Sequence, residues 1–355
     1  MRAARFHATQ DIRIEDIPAP ELKRGHVAID VGWCGICGSD LHEYLEGPII
    51  IPPAGQPHPI SGEEAPITMG HEFSGTVTAV ADDVDDLTPG QKVVIEPYII
   101  GDDVPTDDPE VDYQLSPNMN FIGLGGRGGG FSEKVVVARR WVHPIADHVG
   151  LDEAALIEPL AVGYHAYRKS RARAGDVALI GGAGPIGLLT AAVLKAEGVD
   201  VYISEISEGR KAKARETGVA DEVFDPREVD VVEEVSRLTG GKGADVAFEC
   251  TSVGQVLNTL IAAVKPAGVV VNVSIWGHKP EVDLQNLVLR EVEIIGSAAY
   301  AHDHPTVISM VEDGKIDLAP FITGRIGLDD LVDKGFDQLI NNNDEHVKIL
   351  VSPTL

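Results

Sequence analysis

Apolar and polar positions alternate in four short runs of the first half of the chain: HVAIDVGW (26–33), FSGTVTAV (73–80), QKVVIEP (91–97) and FSEKVVV (131–137). A period of two, broken by Gly and Pro between the runs, predicts short β-strands. Segments 43–68 and 99–120 interrupt this all-β rhythm as long irregular insertions. From about residue 151 the rhythm changes. VALIGGAG (177–184), VDVYISE (199–205), ADVAFECT (244–251), VVVNVSI (269–275) and VEIIGSA (292–298) read as strands. PIGLLTAAVLKAEG (185–198), SEGRKAKARETG (207–218) and QVLNTLIAAVKPAG (255–268) read as helices between them. Such alternation builds parallel βαβ units, so the expected class is α/β with a second, β-rich domain. After about residue 298 come a helix, a turn and a terminal strand HVKILVS (346–352), either an edge of the α/β domain or a return to the first domain.

A length of 355 residues suits two domains, and 44% hydrophobic residues fit a globular chain. There are 56 acidic against 29 basic side chains, a formal charge of −27. That field repels phosphate backbones and excludes nucleic acid as a partner. The acid is spread along the chain (VADDVDDL, GDDVPTDDPEVD, NNNDEH) instead of gathered in a tail. Self-repulsion weakens the compact state at ordinary salt, and a Debye length of about 3 Å at molar salt screens it, so a halophilic, salt-requiring protein is expected. Three cysteines make no disulfide framework, no apolar core marks the N-terminus as a signal, and no apolar run is long enough to cross a membrane. The expected location is the cytoplasm, with no membrane partner.

The strand at 177–180 runs into Gly182-Ala183-Gly184-Pro185-Ile186-Gly187, which opens an apolar helix. In that context G-x-G-x-x-G is a dinucleotide loop. Gly182 makes the tight turn, Gly184 lets the backbone approach the pyrophosphate, Gly187 allows close helix packing, and the helix N-terminus takes the phosphates. Glu205 closes the next strand, where a carboxylate hydrogen-bonds ribose hydroxyls and repels a 2′-phosphate; NAD is expected over NADP. Pro185, Ile186 and Arg210 are counted with the cofactor-binding residues.

GWCGICGSDLH (32–42) places two cysteines three residues apart. Half a zinc ribbon needs a second pair, and the only other cysteine is Cys250. A redox dithiol would follow a strand in a βαβ unit, whereas this pair lies in the β-rich half. The remaining reading joins one cysteine to distant ligands: His71 and Glu72 in MGHEFSG, and Glu158 in the apolar LIEPLAV. A buried acid needs a partner, and a cation is one. Cys37, His71 and Glu158 would leave one tetrahedral position open, as in a catalytic zinc site.

CGICGSDLHEY, APITMGHEFSG, LIEPLAV, GAGPIG, GLGGRGGGFSEKVVV and VSIWGHKPEVDL together resemble the zinc-dependent medium-chain alcohol dehydrogenases, and within them the (R,R)-butanediol dehydrogenase branch, with sorbitol dehydrogenases also similar. The resemblance implies a GroES-like β-barrel catalytic domain (1–157 and 298–355) and a Rossmann doubly wound parallel sheet for NAD (158–297). It implies one catalytic zinc; the lobe that carries four cysteines and a structural zinc in many relatives has none here, so no structural zinc is expected. Cys37 and His71 are the implied ligands with an acid as the third. Zinc, thiolate and one carboxylate sum to zero charge, which ranks Glu158 above Glu72 and leaves Glu72 as an alternate ligand. Asp40 would take the free N–H of His71.

The implied reaction oxidises a secondary alcohol through a zinc-bound alkoxide with hydride transfer to nicotinamide, the proton leaving through Ser39, the cofactor ribose and His42. The implied substrate is a vicinal diol or its hydroxyketone, such as 2,3-butanediol and acetoin; sorbitol-like polyols, sugars such as glucose, or threonine are the alternatives. The segment after His42 would cover the substrate, with His58 incidental, and the chain would form a dimer or tetramer, VVVNVSI pairing across subunits. Two rivals stand outside this class: a zinc-free reductase of the same fold, and a regulator that binds NAD without turnover.

Overall fold

The computed structural model describes residues 1–355. The chain opens with β1 (Arg2–Ala8), β2 (Asp11–Asp16) and β3 (His26–Gly35), then α1 (Gly38–Glu46). β4 (Ile67–Thr68), β5 (Glu72–Val80), β6 (Lys92–Ile95), β7 (Tyr98–Ile99), β8 (Asn120–Phe121), β9 (Lys134–Ala138) and β10 (Val142–Pro144) follow. The period-two pattern is realised in β3, where Val27, Ile29 and Val31 are buried and Asp30 is exposed. The insertion expected at 43–68 is helical to Glu46, and the rest is pinned. Glu43 is buried and accepts the backbone N–H groups of Ile49 (2.9 Å), Ile50 and Ile51 (3.3 Å), and Asn120 Nδ2 donates to Ile50 O at 3.2 Å.

Two helices follow, α2 (Leu151–Ala154) and α3 (Ile157–Ser170), before the α/β half. There the order is β11 (Val177–Gly181), α4 (Pro185–Ala196), β12 (Asp200–Ser204), α5 (Glu208–Glu216), β13 (Glu222–Phe224) and α6 (Val231–Leu238). It continues with β14 (Ala244–Glu249), α7 (Gly254–Ala263), β15 (Val264–Asn272), α8 (Leu284–Leu289) and β16 (Glu293–Gly296). All strands are parallel in the order β13-β12-β11-β14-β15-β16, the doubly wound arrangement, with β11 at its reversal. Ala178, Leu179 and Ile180 are wholly buried, as a strand covered on both faces requires. One expectation is corrected: the helix read as 255–268 stops at Ala263, and Val264–Gly268 already belongs to β15. Pro266 has no N–H to give a helix and disfavours helical geometry in Lys265 before it.

The return is α9 (His304–Glu312), β17 (Ile322–Gly327) and β18 (Lys348–Ser352). β18 pairs antiparallel with β3 (Gly35 with Leu350, Cys34 with Val351) and parallel with β17, so the C-terminal segment completes the first sheet, β10-β6-β5-β3-β18-β17 with β9 on β3. Two compact units result, Met1–Glu158 with His304–Leu355, and Pro159–Asp303. The first boundary falls inside the first turn of α3, and the second lies between Asp303 and His304 instead of at the expected 297/298. Asp303 accounts for the shift: it is wholly buried and bonds His165 Nδ1 at 2.8 Å and Arg168 at 2.6 Å, both on α3. No helix is long and apolar enough to cross a membrane.

Candidate functional site

The two cysteines of GWCGICG part company at the end of β3. Cys34 is in the ladder and wholly buried; burial first, then the charges of Asp40 and Glu72, push its thiol well up. Cβ atoms on Gly70 or Gly130 would lie 2.8 or 2.6 Å from its sulfur, so glycine is required around it. Cys37 is the N-cap of α1, half-buried, and its backbone N donates to Asp40 Oδ2 at 2.9 Å.

His71 lies between Gly70, at φ +95°, and β5. Its Nε2 is 3.2 Å from Ser39 Oγ and its Nδ1 is 3.5 Å from Asp40 Oδ1. Both Nδ1 and Oδ1 are buried without a hydrogen-bond partner, which leaves them facing each other. Burial disfavours the imidazolium, but Asp40 and Cys37 outweigh it and hold the His71 pKa well above its ordinary value. Phe121 packs beside the ring at 5.9 Å between centroids.

Glu72 stands opposite Gly35 in the β3–β5 register, so close that a Cβ on Gly35 would meet its Oε2. Lys348 Nζ donates to Oε1 at 2.8 Å, to Oε2 at 2.7 Å and to Ile36 O at 3.2 Å. Burial disfavours the ammonium, yet Glu72, Cys37 and Glu158 hold the Lys348 pKa above its ordinary value. Ligand atoms of Cys37, His71 and Glu72 lie within 4.8 Å of one another, and Glu158, although buried, is outside that set. Where the sequence ranks Glu158 above Glu72, the proximity of side chains favours Glu72 as the acid beside Cys37 and His71. The charge count behind that ranking omitted Lys348, whose only sequence signal is a lysine inside the apolar HVKILVS. One sulfur, one imidazole nitrogen and one carboxylate in a pocket rich in buried anions suit zinc. An N–H on Nδ1 aimed at Asp40 would leave Nε2 its lone pair for an ion. Ser39 is half-buried, and His42, three residues on in α1, is exposed. His58 is occupied: its Nδ1 accepts from Ile60 N and Ser61 N, both at 3.3 Å.

In the second unit the glycine loop has the expected geometry. Gly182 is at φ +96°, and a Cβ on Gly187 would lie 2.1 Å from Gly182 O. A Cβ on Gly184 would meet nothing within 4 Å, so the backbone there is open to a ligand. Gly184 is the N-cap of α4 and Pro185 its first residue, which aims the N–H groups of Ile186 and Gly187 out of the helix end. Glu205 is more committed than the sequence suggested: it accepts from Ala183 N (2.7 Å), Ile206 N (2.8 Å) and Ser207 N (2.8 Å). It ties the glycine loop to the end of β12 and keeps about one of its four acceptor sites for a hydroxyl. Arg210 uses its backbone N on the α5 cap, donating to Ser207 Oγ at 3.2 Å.

Comparison with known proteins agrees with both halves. Residues 23–147 match the alcohol dehydrogenase GroES-like domain and residues 185–313 the zinc-binding dehydrogenase domain. The chain is 63% identical over 355 residues to the (R,R)-butanediol dehydrogenase of Neisseria gonorrhoeae, covering all of both chains. The crystal structure of 2R,3R-butanediol dehydrogenase from Bacillus subtilis superposes with a TM-score of 0.93 at 44% identity, covering 99% of both chains. The sorbitol dehydrogenase of Bacillus subtilis is 30% identical, over 99% of this chain and 97% of the relative. The chain belongs to the zinc-binding alcohol dehydrogenases, with a GroES-like domain and a Rossmann-type sheet.

Proposed function

We propose that this dehydrogenase interconverts a vicinal diol and its hydroxyketone, 2,3-butanediol and acetoin, with zinc and NAD. The observation that carries the chemistry is the gathering of Cys37, His71 and Glu72. The full-length 63% identity to a butanediol dehydrogenase supports the substrate. Zinc would supply Lewis acidity toward the substrate hydroxyl and NAD the hydride acceptor.

In this reading Cys37, His71 and Glu72 hold the ion, Asp40 orients the His71 ring, and Glu158 stays a buried counter-charge to Lys348. With that pair neutral, the ion, Cys37 and Glu72 also sum to neutrality. Ser39 Oγ, beside His71, takes the substrate proton, and His42, on the same face of α1, passes it to water, a task suited to imidazole near neutral pH. Gly184, Ile186 and Gly187 receive the dinucleotide, and the carboxylate of Glu205 disfavours a 2′-phosphate.

We also propose a homo-oligomer formed through β16. The structure places VVVNVSI inside the sheet, as β15, and leaves β16 at its edge. Next to β16 in sequence, α8 buries none of its residues, and Leu284, Val288 and Leu289 are 64%, 67% and 74% exposed. Three free cysteines accord with a reducing cytoplasm.

The deciding experiment combines zinc analysis with kinetics on diols, polyols, sugars and threonine, using NAD and NADP in molar KCl. One zinc per chain and the highest kcat/KM for a vicinal diol with NAD are expected. A preference for sorbitol would replace the substrate, a preference for NADP would remove the role given to Glu205, and a zinc-free active protein would end the metal reading.

A further inference from the structure

Glu249 ends β14 and Glu205 directly follows β12, and the two strands flank β11, with Ser204, Gly181 and Glu249 in register. Glu249 is wholly buried. Its Oε1 accepts from Thr251 N at 2.7 Å, from Thr251 Oγ1 and from Ser252 N at 3.1 Å, and its Oε2 accepts from Ser274 Oγ. One carboxylate thus joins the loop after β14 to the loop after β15. Ser252 Oγ adds a bond to Ile275 O at 2.9 Å, and Trp276 Nε1 donates to Asn272 Oδ1 at 2.7 Å. Ser252 is held at φ +58°, a backbone state that a serine adopts only when its surroundings impose it.

The strand ends on this side of the sheet also expose aliphatic side chains: Ile206 (56%) after β12, Val253 (47%) after β14 and Ile275 (78%) after β15. In an open α/β sheet the ligand lies outside the carboxyl ends of the strands where the strand order reverses, here between β11 and β14. Glu205 and Ile206 stand on the β12 side, with the acid that answers ribose. Val253 and Ile275 stand on the β14–β15 side, where the other half of a dinucleotide must go. Flat aromatic rings bury well against such side chains.

We propose that Glu249 is a positioning residue for the nicotinamide half of the cofactor: its carboxylate sets the spacing of the loops that carry Val253 and Ile275. This rests on the dinucleotide reading of the second unit. Burial and the Glu249 charge push the neighbouring Cys250 thiol up, which disfavours its thiolate.

The test compares Glu249→Gln and Ser274→Ala with the wild type for binding of NADH and of ADP-ribose, which lacks nicotinamide, by fluorescence and calorimetry. Losing one charged acceptor should weaken NADH about ten-fold in Glu249→Gln, with ADP-ribose changed less than about two-fold. Ser274→Ala, which removes one neutral donor and keeps the charge, should move NADH in the same direction and serves alone where Glu249→Gln does not fold. Equal weakening of both ligands, or of neither, overturns the proposal. A wild-type chain that binds neither ligand overturns the dinucleotide reading and this proposal with it.

Discussion

Lys348 on the last strand donates to both carboxylate oxygens of Glu72 on β5, at 2.8 and 2.7 Å, and both side chains are almost wholly buried. Each charge offsets part of the cost of burying the other, and Glu72 is one of three groups close enough together to hold a metal ion.

Removing one partner should therefore be costly. Lys348→Met is expected to lower stability by about 3–5 kcal/mol in denaturant titrations of the zinc-loaded protein, because a buried carboxylate loses its countercharge. A Lys348→Met protein as stable as the wild type would show that Glu72 does not depend on Lys348 for its countercharge.

The two thiols should respond oppositely. Cys37→Ser is expected to lose most of the zinc measured by elemental analysis. Cys34→Ser should keep both zinc and activity and lose about 1–3 kcal/mol, since a hydroxyl replaces a sulfur in an apolar pocket. Zinc loss in Cys34→Ser would return the pair to a shared role.

Asp225 carries a pH dependence away from the site. Arg227 and Lys211, bonded to its carboxylate, hold its pKa far below the ordinary value in the folded chain. A depressed folded pKa stabilises the protein above the unfolded value and loses that effect as pH falls through the folded one. The difference in Tm between wild type and Asp225→Asn should hold near neutrality and shrink below about pH 4. A difference that stays constant into acid would separate Asp225 from acid unfolding.

Salt should act on the whole molecule. With a formal charge of −27, the unfolding midpoint should rise from low to molar KCl as repulsion is screened over about 3 Å. A flat or falling midpoint would mark the acidity as ordinary surface solvation.

Much of this was legible because it is local. The strand alternation around Val27–Val31, the βαβ rhythm and the Gly182–Gly187 loop each depend on residues within one turn or one strand. Glu205 was recognised as a strand-end acid, but its three backbone donors were not, since two come from its own turn and one from the glycine loop. Glu249 has the same signature at the end of VAFE, but the partner that ties it to the next strand's loop, Ser274, is not visible in that local pattern.

By itself the sequence determined which residue types were on offer: a thiol at a helix start, an imidazole beside a carboxylate, a buried acid, and a glycine loop between strand and helix. Only the tertiary structure decided which of them meet. The pairing of β18 with β3 carries Lys348 across 276 positions to Glu72, and the β3–β5 register sets Glu72 over Gly35, while Glu158 stays on another helix. Local sequence encodes side-chain chemistry and period, whereas strand register sets distances between residues far apart in the chain, and metal ligation depends on those distances.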